Sequence, residues 1–320
     1  MMRFLIIILI SLSQLLGKET NVQEIKLSGL ITDGNQEISG MDWYQDRLFL
    51  LPENLGGFLF AIPKIEILNS IKSNEKMSIT PKQTRFITPD YKNLINGFDG
   101  FEAIAFNGNK VFISIEAEHN EKMNSYIVWG EIDPSTLEIK IEQDHLKWVD
   151  TPIQIDNFSF ESLLVYGDDI LMIYEANGSN IQQDVQQVVF SPSSGKISFM
   201  DFTNIEYRIT DATKINKNSK FWSINYFWPG DKKKLAPGQD KILNNVKQGR
   251  SHSKSNQVER LIEFEIKSSG ISISDTEPIQ LVLEPDMSRN WEALARLDNI
   301  GLLIATDKYP RMILGYVAFK

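Results

Sequence analysis

The chain has 320 residues, 42% of them hydrophobic and 10% aromatic, which is enough for a large buried core. Its formal charge of −9 argues against a nucleic-acid polymer as partner, because such binding relies on a basic surface. There is no cysteine, which excludes disulfides and thiolate metal sites, and the three histidines (His119, His145, His252) are too few and too scattered for a zinc site.

At the N-terminus, Arg3 precedes an apolar run from Phe4 to Leu16. The run is short for a transmembrane helix and reads as a signal peptide over residues 1–18, cleaved after Ser13 or Gly17, with an uncleaved anchor as the alternative. The mature chain, 19–320, is then expected in the periplasm or outside the cell, free of the membrane, as a single domain.

Five segments share one pattern: a polar oxygen residue, an alternating strand, a tight turn, and a second, more apolar strand. They begin near Glu37, Gly97, Ser159, Ile209 and Asn290. Their leading oxygen residues align as Ser39, Glu102, Glu161, Asp211 and Glu292. Fourteen residues further on stand Glu53, Glu116, Glu175 and Asn225, with Asp307 after a longer turn in the last copy. Two short strands and a two-residue turn return the chain to its starting edge, so both positions of each hairpin belong to one rim.

Each of the first four hairpins is followed by two more strand-like segments; the fifth has one, and "NVQEIKLSGLI" near the N-terminus supplies the missing strand. This predicts an all-β chain forming a five-bladed β-propeller whose last blade is closed by the N-terminal strand, with six blades as the alternative count. Such closure hides sheet edges that would otherwise pair with other chains. The polar stretch 229–257 is an insert in the fourth unit.

In a propeller the first strands line the channel, so Ser39, Glu102, Glu161, Asp211 and Glu292 are expected to converge at one mouth. Clustered carboxylates raise each other's pKa unless a cation intervenes. All-oxygen donors suit calcium, which makes Ca2+ the expected cofactor and these five residues its ligands. The competing structural role is that the acids cap backbone amides and tie blades together. Glu53, Glu116, Glu175, Asn225 and Asp307 form an outer ring, in which Glu116 and Glu175 are the acids placed to orient or deprotonate water. Lys308 and Arg311 can pair with this ring or bind ligand. The insert is basic, and its Arg250 can fork onto an anion such as a small phosphate ester; the alternative is a solvated loop.

The segments "SFESLLVYGDDILMIYEANG" and "NWEALARLD…LLIATDKYPRMILGYV" resemble the repeats of secreted bacterial phytase-like ("esterase-like activity of phytase") propellers. The axial ring of one hydroxyl and several glutamates is similar to that of calcium-activated, apyrase-type nucleotidases. That resemblance implies a calcium-ligand role for Ser39, Glu102, Glu161 and Glu292; Asp211 departs from the glutamate pattern. Two functions follow as expectations: a calcium-dependent hydrolase of phosphate esters or anhydrides, or a non-catalytic binding or scaffold propeller with a structural calcium.

Overall fold

The computed structural model describes residues 16–53, 57–73, 77–285 and 287–319. The expected signal peptide lies mostly outside the described residues. No helix among them is long and apolar enough to cross a membrane.

The chain is all-β. It opens with β1 (Glu19–Thr20) and β2 (Gln23–Ile25), then runs through strand units. The first unit is β3 (Ile38–Tyr44), β4 (Arg47–Pro52), β5 (Phe58–Pro63) and β6 (Lys82–Ile87). The second is β7 (Phe98–Asn107), β8 (Lys110–His119), β9 (Lys122–Ile132) and β10 (Ile139–Val149). The third is β11 (Phe160–Tyr166), β12 (Asp169–Tyr174), β13 (Gln186–Ser191) and β14 (Lys196–Asp201). The fourth is β15 (Arg208–Ala212), β16 (Lys220–Phe227) and β17 (Val258–Lys267), whose outer edge is shared by β18 (Gly270–Ile273) and β19 (Ile279–Leu281). The last is β20 (Trp291–Leu297), β21 (Gly301–Thr306) and β22 (Leu314–Ala318), completed by β2.

The expected hairpins are present, and their turn chemistry explains them. Tyr166 pairs with Asp169 and Asn107 with Lys110 around turns led by Gly167 and Gly108, whose positive φ values of 65° and 58° glycine adopts without strain. Alternation then sends side chains to opposite faces. In β12, Ile170, Met172 and Tyr174 join a core shared with the second unit, while Leu171 and Ile173 join one shared with the fourth. The same division recurs between every pair of neighbouring units, including the last and the first. The strands β3, β7, β11, β15 and β20 touch in cyclic order, β20 returning to β3. This is a propeller-type arrangement.

The N-terminal segment closes it twice. β2 pairs antiparallel with β22, as the sequence predicts, and β1 pairs parallel with β19 of the preceding unit. The insert 229–257 secures the second contact. Glu19 accepts hydrogen bonds from the Ser251 amide and hydroxyl, the His252 amide and His252 Nδ1, at 2.6–3.0 Å. These hydrogen bonds offset the cost of burial and hold the Glu19 carboxyl below its usual range. The insert therefore packs as short helical turns around the closure rather than forming a free loop.

Candidate active site at the carboxylate mouth

Each inner hairpin carries a bulge at the position that was read as the ring. Ile38, Phe101, Phe160 and Trp291 are regular pairing residues, and the residue after each falls in the register shift. Those residues are Ser39, Glu102, Glu161 and Glu292. A bulge aims one extra side chain away from the strand alternation, here toward the shared mouth.

Glu102, Glu116, Glu161, Glu175 and Glu292 form one electrostatic cluster, reached from the rim by Glu53 and Asp307. Glu102, Glu116, Glu161 and Glu175 are buried, Glu175 with no exposed surface, and Glu292 is partly buried. Burial first, and neighbouring carboxylates second, push Glu116 up to about 8. Burial and then Asp307 push Glu292 up to about 8. Burial pushes Glu102 and Glu161 well above the carboxylate range. At the rim, burial and the hydrogen-bonded Glu37 take Glu53 to about 9.

The counter-charge is Arg208, a residue not anticipated from the sequence. It enters from the start of β15, two positions before the bulge. Its Nε donates to Glu175 Oε2, and its NH2 lies 3.5 Å from Glu292 Oε1. Its guanidinium also lies 5.5 Å from the Phe158 ring and 5.9 Å from the Tyr226 ring. Glu175 is the hub of the cluster. Its Oε1 accepts from the Ser159 amide at 3.1 Å, and its carboxylate also accepts from the Glu161 side chain. Both Glu175 oxygens are engaged in hydrogen bonds. Glu116 is different: its Oε2 is buried without a partner among the described residues.

Asp211 is not brought into this cluster. Its Oδ1 accepts from the Ala212 amide at 2.7 Å and its Oδ2 from the Leu294 amide at 2.6 Å, tying the fourth unit to the last. Thr210 takes the ring position instead: it follows Ile209, and its hydroxyl donates to the Trp291 carbonyl as Ser39 donates to that of Phe101, both at 2.5 Å. The fourth hairpin's turn is two residues longer than the first three, which displaced the alignment. By the same register Tyr226, not Asn225, occupies the outer ring, since Asn225 pairs with Ile209 and its Oδ1 accepts from Arg260. Replacing Asp211 with alanine strands two buried amides, at about 1–3 kcal/mol each. The expected result is a lower urea midpoint with unchanged activity; loss of activity in a fully folded variant would return Asp211 to the site.

Of the cations expected to bind ligand, Lys308 stands at the rim: its Nζ donates to Glu37 at 2.7 Å and acts electrostatically on Glu53 and Asp307. Arg311 pairs with Glu24 at 2.8 Å on the outer surface. Arg250 borders a separate cleft with Glu19 and Glu284. At the other end of the inner strands, Lys214 bonds Asp42 at 3.1 Å and the carbonyls of Trp43 and Phe106, linking the fourth unit to the first and second.

The donor set has the all-oxygen chemistry of a calcium site. Among the described residues, however, no three of these side chains are grouped closely enough to hold a metal ion. The positive charge at the centre of the cluster is the Arg208 guanidinium.

The raised values have a consequence for stability. Glu53, Glu116 and Glu292 keep their protons in the folded chain to about pH 8–9, whereas the unfolded chain releases them near 4.5. The folded state binds more protons at these three groups across that window, so their contribution to stability is fully present below about pH 4.5 and is lost as pH rises toward 9. Urea unfolding at a series of pH values checks this; a flat profile between pH 5 and 9 would contradict the cluster.

No family model and no curated protein matches the chain. Solved structures do. It superposes at TM-score 0.51 and 8% identity on a structure described under "The GH130 family of mannoside phosphorylases contains glycoside hydrolases that target beta-1,2 mannosidic linkages in Candida mannan", covering 95% of this chain and 97% of that one. It is equally similar, at TM-score 0.51 and 10% identity, to an exo-1,5-α-L-arabinanase from a bovine ruminal metagenomic library, covering 92% and 97%. At these identities the likeness establishes the propeller-type fold.

Proposed function

We propose that the chain is a five-bladed propeller hydrolase whose catalytic centre is the carboxylate cluster. The observation that carries this reading is a set of five glutamates from three units crowded around one buried arginine. Like charges at this density are retained where protons must be shared and moved. The cyclic contacts of the inner strands and the double N-terminal closure support five blades rather than six.

Glu116 and Glu292 are the proposed acid–base groups. With pKa values of about 8 in a coupled cluster, both are protonated near neutral pH, and one ionises before the other as pH passes about 8. The ionised carboxylate takes a proton from water as its oxygen attacks the scissile centre; the carboxylic acid gives its proton to the departing oxygen. Glu175 and Arg208 fix the geometry. Glycoside hydrolysis commonly uses a two-carboxylate mechanism of this type, and one structure on which the chain superposes is described with glycoside hydrolases. The engagement of Lys308 and Arg311 with acids weakens the phosphate-ester reading.

The unpartnered Glu116 oxygen favours one second reading, in which calcium joins the cluster as in the apyrase-type resemblance. Ser39 donates its hydroxyl hydrogen to the Phe101 carbonyl, which leaves its oxygen lone pairs for such a site. The test is hydrolysis of chromogenic glycosides, esters and phosphate esters between pH 5 and 10, with calcium or with chelator. Turnover with chelator and a bell-shaped profile centred near pH 8 supports the acid–base reading. Turnover that requires calcium supports the second, and no turnover on any substrate sinks the hydrolase proposal.

A further inference from the structure

Beside the mouth lies a cavity of about 380 Å³, within the range of small-molecule clefts. It is continuous with the cluster: Glu53 lines it, and Asp99, another lining residue, acts electrostatically on both Glu53 and Glu116. One wall is aromatic and rigid. Tyr91 stacks on Phe98 at 6.3 Å, and Phe98 meets Phe101 edge-on at 5.4 Å. Phe98 is only half-buried. Tyr91 is 3% exposed, and its hydroxyl has no hydrogen-bond partner among the described residues. The remaining polar lining is acidic, with Asp90 added to Glu53 and Asp99, against the single cation Lys92.

This chemistry selects against an anion. A phosphate or carboxylate ligand would meet Asp90 and Asp99 against one exposed lysine, whose attraction water screens. A ligand rich in hydroxyl groups can donate to the carboxylates, satisfy the Tyr91 hydroxyl, and lay an apolar ring face on Phe98. We infer that this cavity is a binding subsite for a neutral, polyhydroxylated ring, a saccharide unit of a substrate whose scissile bond lies at the carboxylate mouth. The inference rests on the hydrolase reading for the position of that bond, but the subsite itself does not.

Saturation-transfer NMR tests it on the intact chain. The probes are neutral di- and trisaccharides of glucose, galactose, mannose, xylose and arabinose, set against inorganic phosphate and glucose 6-phosphate. At least one neutral saccharide is expected to bind. Its affinity should fall about tenfold or more, the equivalent of one good contact, in Phe98→Ala and in Asp99→Ala, and should persist in Glu116→Gln. If Phe98→Ala fails to fold, Asp99→Ala decides, because Asp99 is exposed. Binding of the phosphate compounds alone, no saccharide binding, or binding indifferent to these substitutions overturns the subsite. Saccharide binding without turnover would fault the hydrolase reading alone; turnover of a non-saccharide without saccharide binding would fault the subsite alone.

Discussion

Replacing Arg208 with methionine is expected to lower the unfolding free energy at pH 7.5 by about 3–5 kcal/mol, because it leaves Glu175 as an uncompensated buried charge. The methionine keeps much of the volume packed against Phe158 and Tyr226, so the loss is electrostatic more than steric. That origin gives the loss a pH signature. As pH falls, Glu175 takes up a proton and no longer needs the guanidinium, so the gap between variant and wild type narrows toward pH 5. A gap independent of pH would mean that Arg208 matters for packing alone. Adding millimolar calcium at pH 7.5 separates the two readings of the site. Full recovery of stability in the variant would show that the cluster accepts a divalent ion once the guanidinium is gone; no recovery would fit a proton-sharing cluster.

The second large effect is on turnover. Glu116→Gln and Glu292→Gln each remove a proton-transfer group while keeping its shape, and each is expected to lower kcat by roughly 10²–10⁴-fold. Each should also abolish one limb of the pH–rate profile. Glu175→Gln is expected to behave differently. It breaks the ion pair with Arg208 and the hydrogen bond from Glu161, so it costs stability as well as rate. Unchanged kcat in both Glu116→Gln and Glu292→Gln would remove the catalytic role of the cluster whatever the substrate.

The signals that were legible in the sequence are local ones. Alternation in "DILMIY" assigns a two-sided strand because every second side chain must leave on the same face, and the structure divides that strand between two cores accordingly. Gly108 and Gly167 mark their turns because the backbone there needs positive φ. The recurrence of this pattern by itself places Glu102, Glu116, Glu161, Glu175 and Glu292 on one rim. It failed where length varied: the longer fourth turn put Asp211 in place of Thr210 and Asn225 in place of Tyr226. One cue was present in the sequence, since "RIT" places a hydroxyl residue after the apolar Ile209 just as Ser39 follows Ile38.

Chain chemistry alone thus determined the strand content, the hairpin positions, the N-terminal completion of the last unit and the acidity of one mouth, because each follows from side-chain periodicity and turn geometry over a few residues. Only the tertiary structure decided how that acidity is neutralised. Arg208 lies one position outside the repeat and meets Glu175 and Glu292 across the ring, a contact between residues 33 and 84 positions apart that no local pattern encodes. The fate of the basic insert was decided in the same way. Its residues close the ring around Glu19 because burial of that carboxylate requires donors, and those donors come from the far end of the chain.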